Sequence, residues 1–325
     1  MSEFPMPPVV AEAAEAWRAM MGDNSSAGIT AELVPLIRAN SPATGSDAAL
    51  VGRPLTSNDH VVPGVEGQPD SMVSVIRRVD SASSPRPGIV QVHGGGMVLG
   101  NRWGDIDAVL DWVEHFDAVA VTVEYRLAPE HPAPAAVDDT LAALRWVIER
   151  PDELGIDPNR IVMVGWSAGG GIAAGTLLRH RDEGGRPLAG QLLVYPMIDD
   201  RNIGVAKEQL ANTILWNRQS NDTGWDAYLG ASRGGPDVSA YAAPARATDL
   251  SGLPPTFIEV GSVDLFRDED VAYASLLWAC GGDCELHVWP GGPHGFQTSA
   301  PTSSIARGAT ATKLAWLTRI FDRES

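Results

Sequence analysis

The pentapeptide Gly165-Trp166-Ser167-Ala168-Gly169 constrains the fold of this chain more than any other stretch. The β-branched and apolar residues 160–164 before it predict a buried strand, and the small and aliphatic residues 168–178 after it predict a helix. A strand that turns directly into a helix needs glycine at the corner, because the backbone passes close to itself there. Such a corner holds Ser167 at the top of a sheet, above a helix N-terminus, where its hydroxyl group is a candidate nucleophile.

A second glycine-rich stretch, His93-Gly94-Gly95-Gly96, follows a predicted strand at residues 88–92. No side chain covers the backbone N–H groups of such a loop, so they are able to hold the oxyanion of a tetrahedral intermediate. A loop that is merely flexible is the alternative interpretation. We expect His93 to anchor the loop rather than to take part in the chemistry.

A serine hydroxyl group needs a neighbouring base, and the base needs an acid that fixes its tautomer. Where the serine lies at a corner of this kind, the chain order is serine, acid, histidine. His287 falls inside the predicted strand 284–289, whereas His294 lies in the glycine-rich loop 291–296 that follows it. That loop leaves the sheet at its carboxyl edge, where Ser167 is also expected, so His294 is the predicted base.

Four carboxylates follow the predicted strand 254–260. Asp264 is in the loop directly after the strand, at the carboxyl edge of the sheet. Asp268 and the two acidic residues after it begin the next predicted helix, where they complement the positive end of the helix dipole. Asp264 is therefore the predicted acid, with Asp268 as the alternative.

Predicted strands alternate with predicted helices from residue 88 onward, which indicates a mostly parallel sheet with helices on both faces. A length of 325 residues suits one such α/β domain with insertions. The predicted strands lie within 61–78 and at 88–92, 118–125, 160–164, 190–195, 254–260 and 284–289, and the predicted helices include 135–150, 268–280 and Ser304–Phe321.

Two segments outside this alternating pattern suggest a cap over the sheet. Residues 1–50 carry helical patterns before the first strand and are assigned to N-terminal cap helices. Residues 201–237 are polar and irregular and are assigned to a cap insertion, with an exposed helical excursion as the alternative; residues 51–200 and 238–325 then form the core. The candidates for pocket walls, each with core packing as the alternative, are Trp17, Met20, Met21, Trp216 and Trp225.

The composition limits the partners of the chain. Its formal charge is −17, from 41 acidic and 24 basic residues, which disfavours binding to nucleic acids and to anionic membrane surfaces. No apolar run approaches the roughly 20 residues of a membrane span. The N-terminus shows no secretory signal, so a cytoplasmic protein is expected.

Cys280 and Cys284 are the only cysteines of the sequence. No second cysteine pair or histidine cluster accompanies them, so a structural zinc site is not expected. Two free thiols are the preferred interpretation, and a local disulfide is the alternative.

Five stretches together carry a resemblance to a known family: His93-Gly94-Gly95-Gly96, residues 125–130, residues 165–170, residues 264–268 and His294-Gly295-Phe296. In this order, over about residues 60–321, they resemble the bacterial hormone-sensitive-lipase-like esterases (family IV) of the α/β-hydrolase superfamily. The resemblance implies an eight-stranded sheet, a helical cap, and hydrolysis of carboxylic esters without a metal or other cofactor.

The resemblance also implies which residues surround the reacting atoms. The backbone amides of Gly94, Gly95 and Ala168 correspond to the oxyanion hole of the family. Trp166 departs from the family, which usually carries Asp or Thr before the serine, and the indole is expected to alter the packing behind the corner. The residues expected to contact substrate are Trp166, Met97, Trp216 and Trp225.

The sequence thus predicts a serine carboxylesterase that works through an acyl-enzyme intermediate. Its expected partner is a small-molecule ester, with a short to medium acyl chain or a compact aromatic group. An amidase, a lactonase or a carbamate hydrolase on the same triad is the alternative, as is a non-catalytic ligand-binding relative. The strand at 284–289 near the sheet edge suggests a homodimer.

Overall fold

An eight-stranded sheet runs through the centre of the protein in the computed structural model, which describes residues 8–21, 28–41, 45–81, 85–213 and 215–323. The strands are β1 (Leu55–Val62), β2 (Ser71–Arg78), β3 (Arg86–Val92), β4 (Val119–Glu124), β5 (Ile156–Trp166), β6 (Gly190–Val194), β7 (Thr256–Val263) and β8 (Cys284–Pro293). Their order across the sheet is β1-β2-β4-β3-β5-β6-β7-β8. The pairs β1/β2 and β2/β4 are antiparallel and the others parallel, so the predicted mostly parallel sheet is confirmed.

Helices cover both faces of this sheet. They are α1 (Pro8–Met21), α2 (Leu33–Asn40), α3 (Ser46–Ala49), α4 (Asp107–Phe116), α5 (Ala135–Ile148), α6 (Pro151–Leu154), α7 (Ala168–Asp182), α8 (Val205–Gln209), α9 (Arg218–Leu229), α10 (Arg267–Ala279), α11 (Phe296–Ser299) and α12 (Ser304–Phe321). On one face α4 meets α12, where the rings of Phe116 and Phe321 lie 5.1 Å apart between centroids; on the other face α5 packs against α7.

The first strand begins earlier than the sequence predicts, at Leu55 instead of near residue 61. Strand β1 is an edge strand, and most of its side chains are exposed or half-buried. An edge strand with polar side chains lacks the apolar alternation on which the prediction depends. Strand β3 shows the opposite case, because it lies inside the sheet and all of its residues are buried.

Helix α7 lies unusually close to the neighbouring backbone because residues 169–171, near its N-terminus, are all glycine. A Cβ atom on Gly169 would lie 2.3 Å from the carbonyl oxygens of both Val92 and His93. A Cβ atom on Gly171 would lie 2.0 Å from the carbonyl oxygen of Met197. Only glycine fits at these two points of backbone contact. The contact at Gly169 brings the end of β3 directly beside the start of α7.

Within the residues that the structure describes, no helix combines the length and the apolar character that crossing a bilayer requires.

Candidate active site

Ser167 occupies the corner between β5 and α7. Its backbone has φ 53° and ψ −120°, a conformation that residues other than glycine rarely adopt. Hydrogen bonds on both sides hold this conformation: the Ser167 amide donates to the Val194 carbonyl at 2.9 Å, and the Ser167 carbonyl accepts from the Met197 amide at 2.9 Å. Ala168 is the first residue of α7, so its amide has no acceptor within the helix.

A chain of two hydrogen bonds joins the hydroxyl group of Ser167 to a buried carboxylate. Ser167 Oγ lies 2.9 Å from His294 Nε2, and His294 Nδ1 lies 2.9 Å from Asp264 Oδ2. Asp264 is fully buried, and its other oxygen accepts from the Phe266 amide at 3.0 Å. Because a carboxylate only accepts, Nδ1 carries the proton of a neutral His294, and Nε2 is left to accept from the serine.

The alternative acid, Asp268, lies elsewhere. Its Oδ2 accepts from the Ala206 amide at 2.7 Å, and its Oδ1 pairs with Arg267 at 2.8 Å. Asp268 therefore joins α10 to α8 and is not bonded to His294.

The loop after β3 is fixed from both sides. The buried His93 ring stacks on Tyr125 with 4.1 Å between centroids, and its Nδ1 contacts the Gly94 carbonyl oxygen at 2.7 Å. Burial lowers the pKa of His93 to about 4, so this ring is neutral at pH 7. The geometry is that of a loop anchor, with the imidazole fully enclosed.

One of the expected oxyanion donors is already engaged. The Gly94 amide donates to Asp105 Oδ2 at 2.8 Å, which corrects its assignment as a free donor. Among the described residues, no acceptor is bonded to the amides of Gly95, Gly96 or Ala168. Gly95 and Gly96 line the same cavity as Ser167, with φ of 114° and 62°, so the free amides of the loop begin one residue later than the sequence predicts.

The cavity over Ser167 has a volume of about 470 Å³ and predominantly apolar walls. Trp166 and Trp216 line it as expected, and Trp166 also stacks on Trp112 with 5.9 Å between ring centroids. The lining side chains outside the glycine loop include Trp17, Ile29, Ile37, Leu99, Asp105, Trp166, Tyr195, Leu215, Trp216, His294 and Thr298. The side chains of Met20 and Met21 lie outside the described residues.

Two of the expected substrate contacts are wrong. Met97 is 1% exposed and Trp225 is fully buried, and neither lines the cavity. Met97 has a left-handed backbone with φ 67°, and its side chain is part of the hydrophobic core. Trp225 lies on the face of α9 that packs into the core, with its ring 6.2 Å from that of Tyr228.

A buried carboxylate that the sequence analysis does not single out holds the loop that carries His294. Glu259, on β7, accepts from Trp289 Nε1 at 2.9 Å, before the loop, and from Gln297 Nε2 at 2.7 Å, after it. Lys313 Nζ, from α12, neutralises it at 2.5 Å. The available signal is a glutamate inside an otherwise apolar strand, since a buried charge needs a partner.

No group of three or more His, Cys, Asp or Glu side chains that could hold a metal ion occurs among the described residues.

We expect Glu259→Gln to lower the free energy of unfolding by about 3–5 kcal/mol, because Lys313 then stays buried without a counter-charge. Urea unfolding measures this change. Adding Lys313→Met to the variant should restore much of the loss, since it removes the unpaired charge. Glu153→Gln is the matched control, because Glu153 is exposed and its ion pair with Arg150 is long, at 3.9 Å. A Glu259→Gln protein as stable as the control would contradict the expectation.

Comparison with known proteins identifies the family. A family model described as alpha/beta hydrolase fold matches residues 89–298. Carboxylesterase NlhH of Mycobacterium tuberculosis is 42% identical over 240 residues, which cover 72% of this chain and 73% of NlhH. Esterase LipI of the same organism is 36% identical over 234 residues, which cover 70% of this chain and 72% of LipI.

Solved structures agree with this result. The structure named bacterial heroin esterase superposes with a TM-score of 0.88 at 35% identity and covers 98% of both chains. The esterase LipW from Mycobacterium marinum superposes with a TM-score of 0.84 at 31% identity, covering 98% of this chain and 96% of LipW. The chain therefore belongs to the bacterial hormone-sensitive-lipase-like esterases of the α/β-hydrolase superfamily and is a carboxylic ester hydrolase.

Proposed function

We propose that Ser167 is the nucleophile of this ester hydrolase, His294 its general base and Asp264 the acid that orients the base. The observation that carries the proposal is the pair of 2.9 Å contacts joining the three side chains. The strained backbone at Ser167 is a second support, because such strain is typical of residues held for function.

In the first half of the reaction, His294 Nε2 takes the proton of Ser167 Oγ as the oxygen bonds to the ester carbonyl carbon. The negative charge that develops on the carbonyl oxygen is held by the amides of Gly95, Gly96 and Ala168. As the tetrahedral intermediate collapses, the bond to the alcohol oxygen breaks, and the alcohol leaves with the proton from His294. An acyl group remains on Ser167.

In the second half, water replaces the alcohol. His294 takes a proton from the water as its oxygen bonds to the acyl carbon, and the same amides hold the second oxyanion. The bond to Ser167 then breaks, His294 returns the proton to Oγ, and the carboxylic acid is released. Asp264 stays ionised and stabilises the imidazolium in both halves.

We propose that the N-terminal helices and the insertion together form a cap that limits substrate size. Trp17 and Ile37 come from the first segment and Trp216 from the second, and all three line the cavity. The Ile29 amide donates to Ser220 Oγ at 2.9 Å, which joins the two segments. This arrangement supports the division into cap residues 1–50 and 201–237 and a core of 51–200 and 238–325.

We expect Ser167→Ala to lower kcat for p-nitrophenyl butyrate by about 10⁴- to 10⁶-fold while the protein stays folded, because no other described group offers an activated oxygen. The measurement is release of p-nitrophenol, with circular dichroism as the check on folding. Ser275→Ala is the matched control, since Ser275 is exposed on α10 and its hydroxyl group donates to the Val271 carbonyl of the same helix.

The same assay separates the two carboxylates proposed as the acid. Asp264→Asn should lower kcat by about 10⁴-fold, because the amide favours the wrong tautomer of His294. Asp268→Asn should keep activity within a few-fold of the wild type. Equal losses in the two variants, or full activity of Ser167→Ala, would refute the assignment.

We propose that short to medium acyl chains and compact aromatic esters are the preferred substrates. A cavity of about 470 Å³ is at the small end of the range for ligand sites. We therefore expect a higher kcat/KM for p-nitrophenyl butyrate than for p-nitrophenyl palmitate, measured below the concentration at which the palmitate forms micelles. The reverse order would contradict the size limit.

We propose a cytoplasmic homodimer that pairs through β8. Strand β8 is an edge of the sheet, and Val288 on it is 41% exposed. Cys280 and Cys284 are free thiols, which suits a reducing compartment. Sedimentation velocity should give a dimer for the wild type and a monomer for Val288→Lys. A monomeric wild type would contradict the homodimer. Recovery of the enzyme outside the cytoplasmic fraction would contradict the cytoplasmic location.

A further inference from the structure

A carboxylate that the reaction does not use shares the cavity with the reacting groups. Asp105 is exposed and lines the cavity beside Ser167. The position of a Cβ atom on Gly94 would be 2.9 Å from Asp105 Oδ2 and 3.4 Å from Ser167 Cβ. Asp105 has φ 54°, so its backbone is held in the left-handed region. Backbone strain of this kind is concentrated at functional sites.

The charge of Asp105 has no cationic partner in the described part of the protein. Its Oδ2 accepts from the Gly94 amide, and no lysine or arginine forms an ion pair with it. The titratable groups that influence it are His294 and Asp107, and its own charge acts on the phenols of Tyr125 and Tyr195. Burial raises the pKa of Asp105, whereas the Gly94 amide and His294 act in the opposite direction.

An unpaired carboxylate at this place opposes the chemistry of a neutral ester. The tetrahedral intermediate carries a negative charge close to Asp105, and like charges at short distance repel each other. A positive charge on the substrate itself removes this penalty, because it pairs with Asp105 in the same cavity. The formal charge of −17 on the whole chain also raises the local concentration of cations.

The other walls of the cavity suit the same kind of group. The rings of Trp166, Trp216 and Tyr195 line the cavity together with Asp105. Aromatic faces attract quaternary and protonated amines through their negative ring faces. The apolar walls would disfavour a strongly hydrated anion, because the anion would have to lose its water to contact them.

We propose that the cavity selects esters that carry an ammonium group, with Asp105 as the counter-ion and the aromatic walls as its contact surface. This inference rests on the proposed serine mechanism and names the substrate class of that site. Asp105 is then a specificity residue, and its bond to the Gly94 amide holds the carboxylate in position.

A matched pair of esters tests the proposal. Acetylcholine carries a quaternary ammonium group, and 3,3-dimethylbutyl acetate has the same shape with carbon in place of nitrogen. We expect kcat/KM of the wild type to favour acetylcholine by about tenfold or more. Asp105→Asn keeps an oxygen for the Gly94 amide and removes the charge, so it should lower this ratio by about tenfold. Damage to the glycine loop affects both esters and cancels in the ratio.

Asp107→Asn is the control for the loss of one negative charge. Asp107 is exposed at the start of α4 and does not line the cavity, so the ratio should stay at the wild-type value. A wild type without preference for acetylcholine would overturn the proposal. An Asp105→Asn variant that keeps the preference would overturn it too, because Asp105 would then only support the loop.

A second measurement on the wild type alone keeps the test decisive if Asp105→Asn does not fold. Choline should inhibit hydrolysis of p-nitrophenyl butyrate at a concentration about tenfold lower than 3,3-dimethylbutan-1-ol does. Equal inhibition would overturn the ammonium site while leaving the serine mechanism intact. If no ester, including p-nitrophenyl butyrate, were hydrolysed in a way that depends on Ser167, the proposed function itself would be wrong.

Discussion

The close backbone contact between α7 and the end of β3 is the constraint on which the active site depends. At Gly169 the helix touches the carbonyl oxygens of Val92 and His93, a distance that no side chain would permit. The same contact places the glycine loop after His93 beside the first residue of α7. Gly95 and Gly96 therefore line the same cavity as Ser167, and the amide of Ala168 follows Ser167 directly. The proposed nucleophile and its proposed oxyanion donors lie together because these two pieces of backbone are in contact.

Much of the fold and the three side chains proposed to react could be predicted from local signals. Strand and helix patterns inside the sheet are strong, because buried parallel strands are continuously apolar. In such a sheet the loops after parallel strands share one edge, so the sequence alone led to Ser167, Asp264 and His294. The sequence pattern predicts the start of edge strand β1 several residues after its actual start, because the polar side chains of this strand carry no such pattern.

The remaining features depend on contacts that no local pattern encodes. Asp105 adopts a left-handed backbone and accepts a hydrogen bond from the Gly94 amide. The free amides of the loop therefore begin at Gly95 instead of Gly94. Met97 and Trp225 are predicted to contact substrate, and only their packing in the structure shows that they belong to the core. Glu259 is bonded to partners 30 and 38 residues further along the chain, beyond the reach of a motif.

The ion pair between Glu259 and Lys313 makes the position of the loop that carries His294 depend on α12, a helix far along the chain from Ser167. Lys313 belongs to the last helix, and the carboxylate that it neutralises holds the loop of His294 from both ends. During synthesis, Ser167 and the glycine loop leave the ribosome before Lys313 does. We therefore expect hydrolytic activity to arise only once α12 has docked and Lys313 supports the loop of His294.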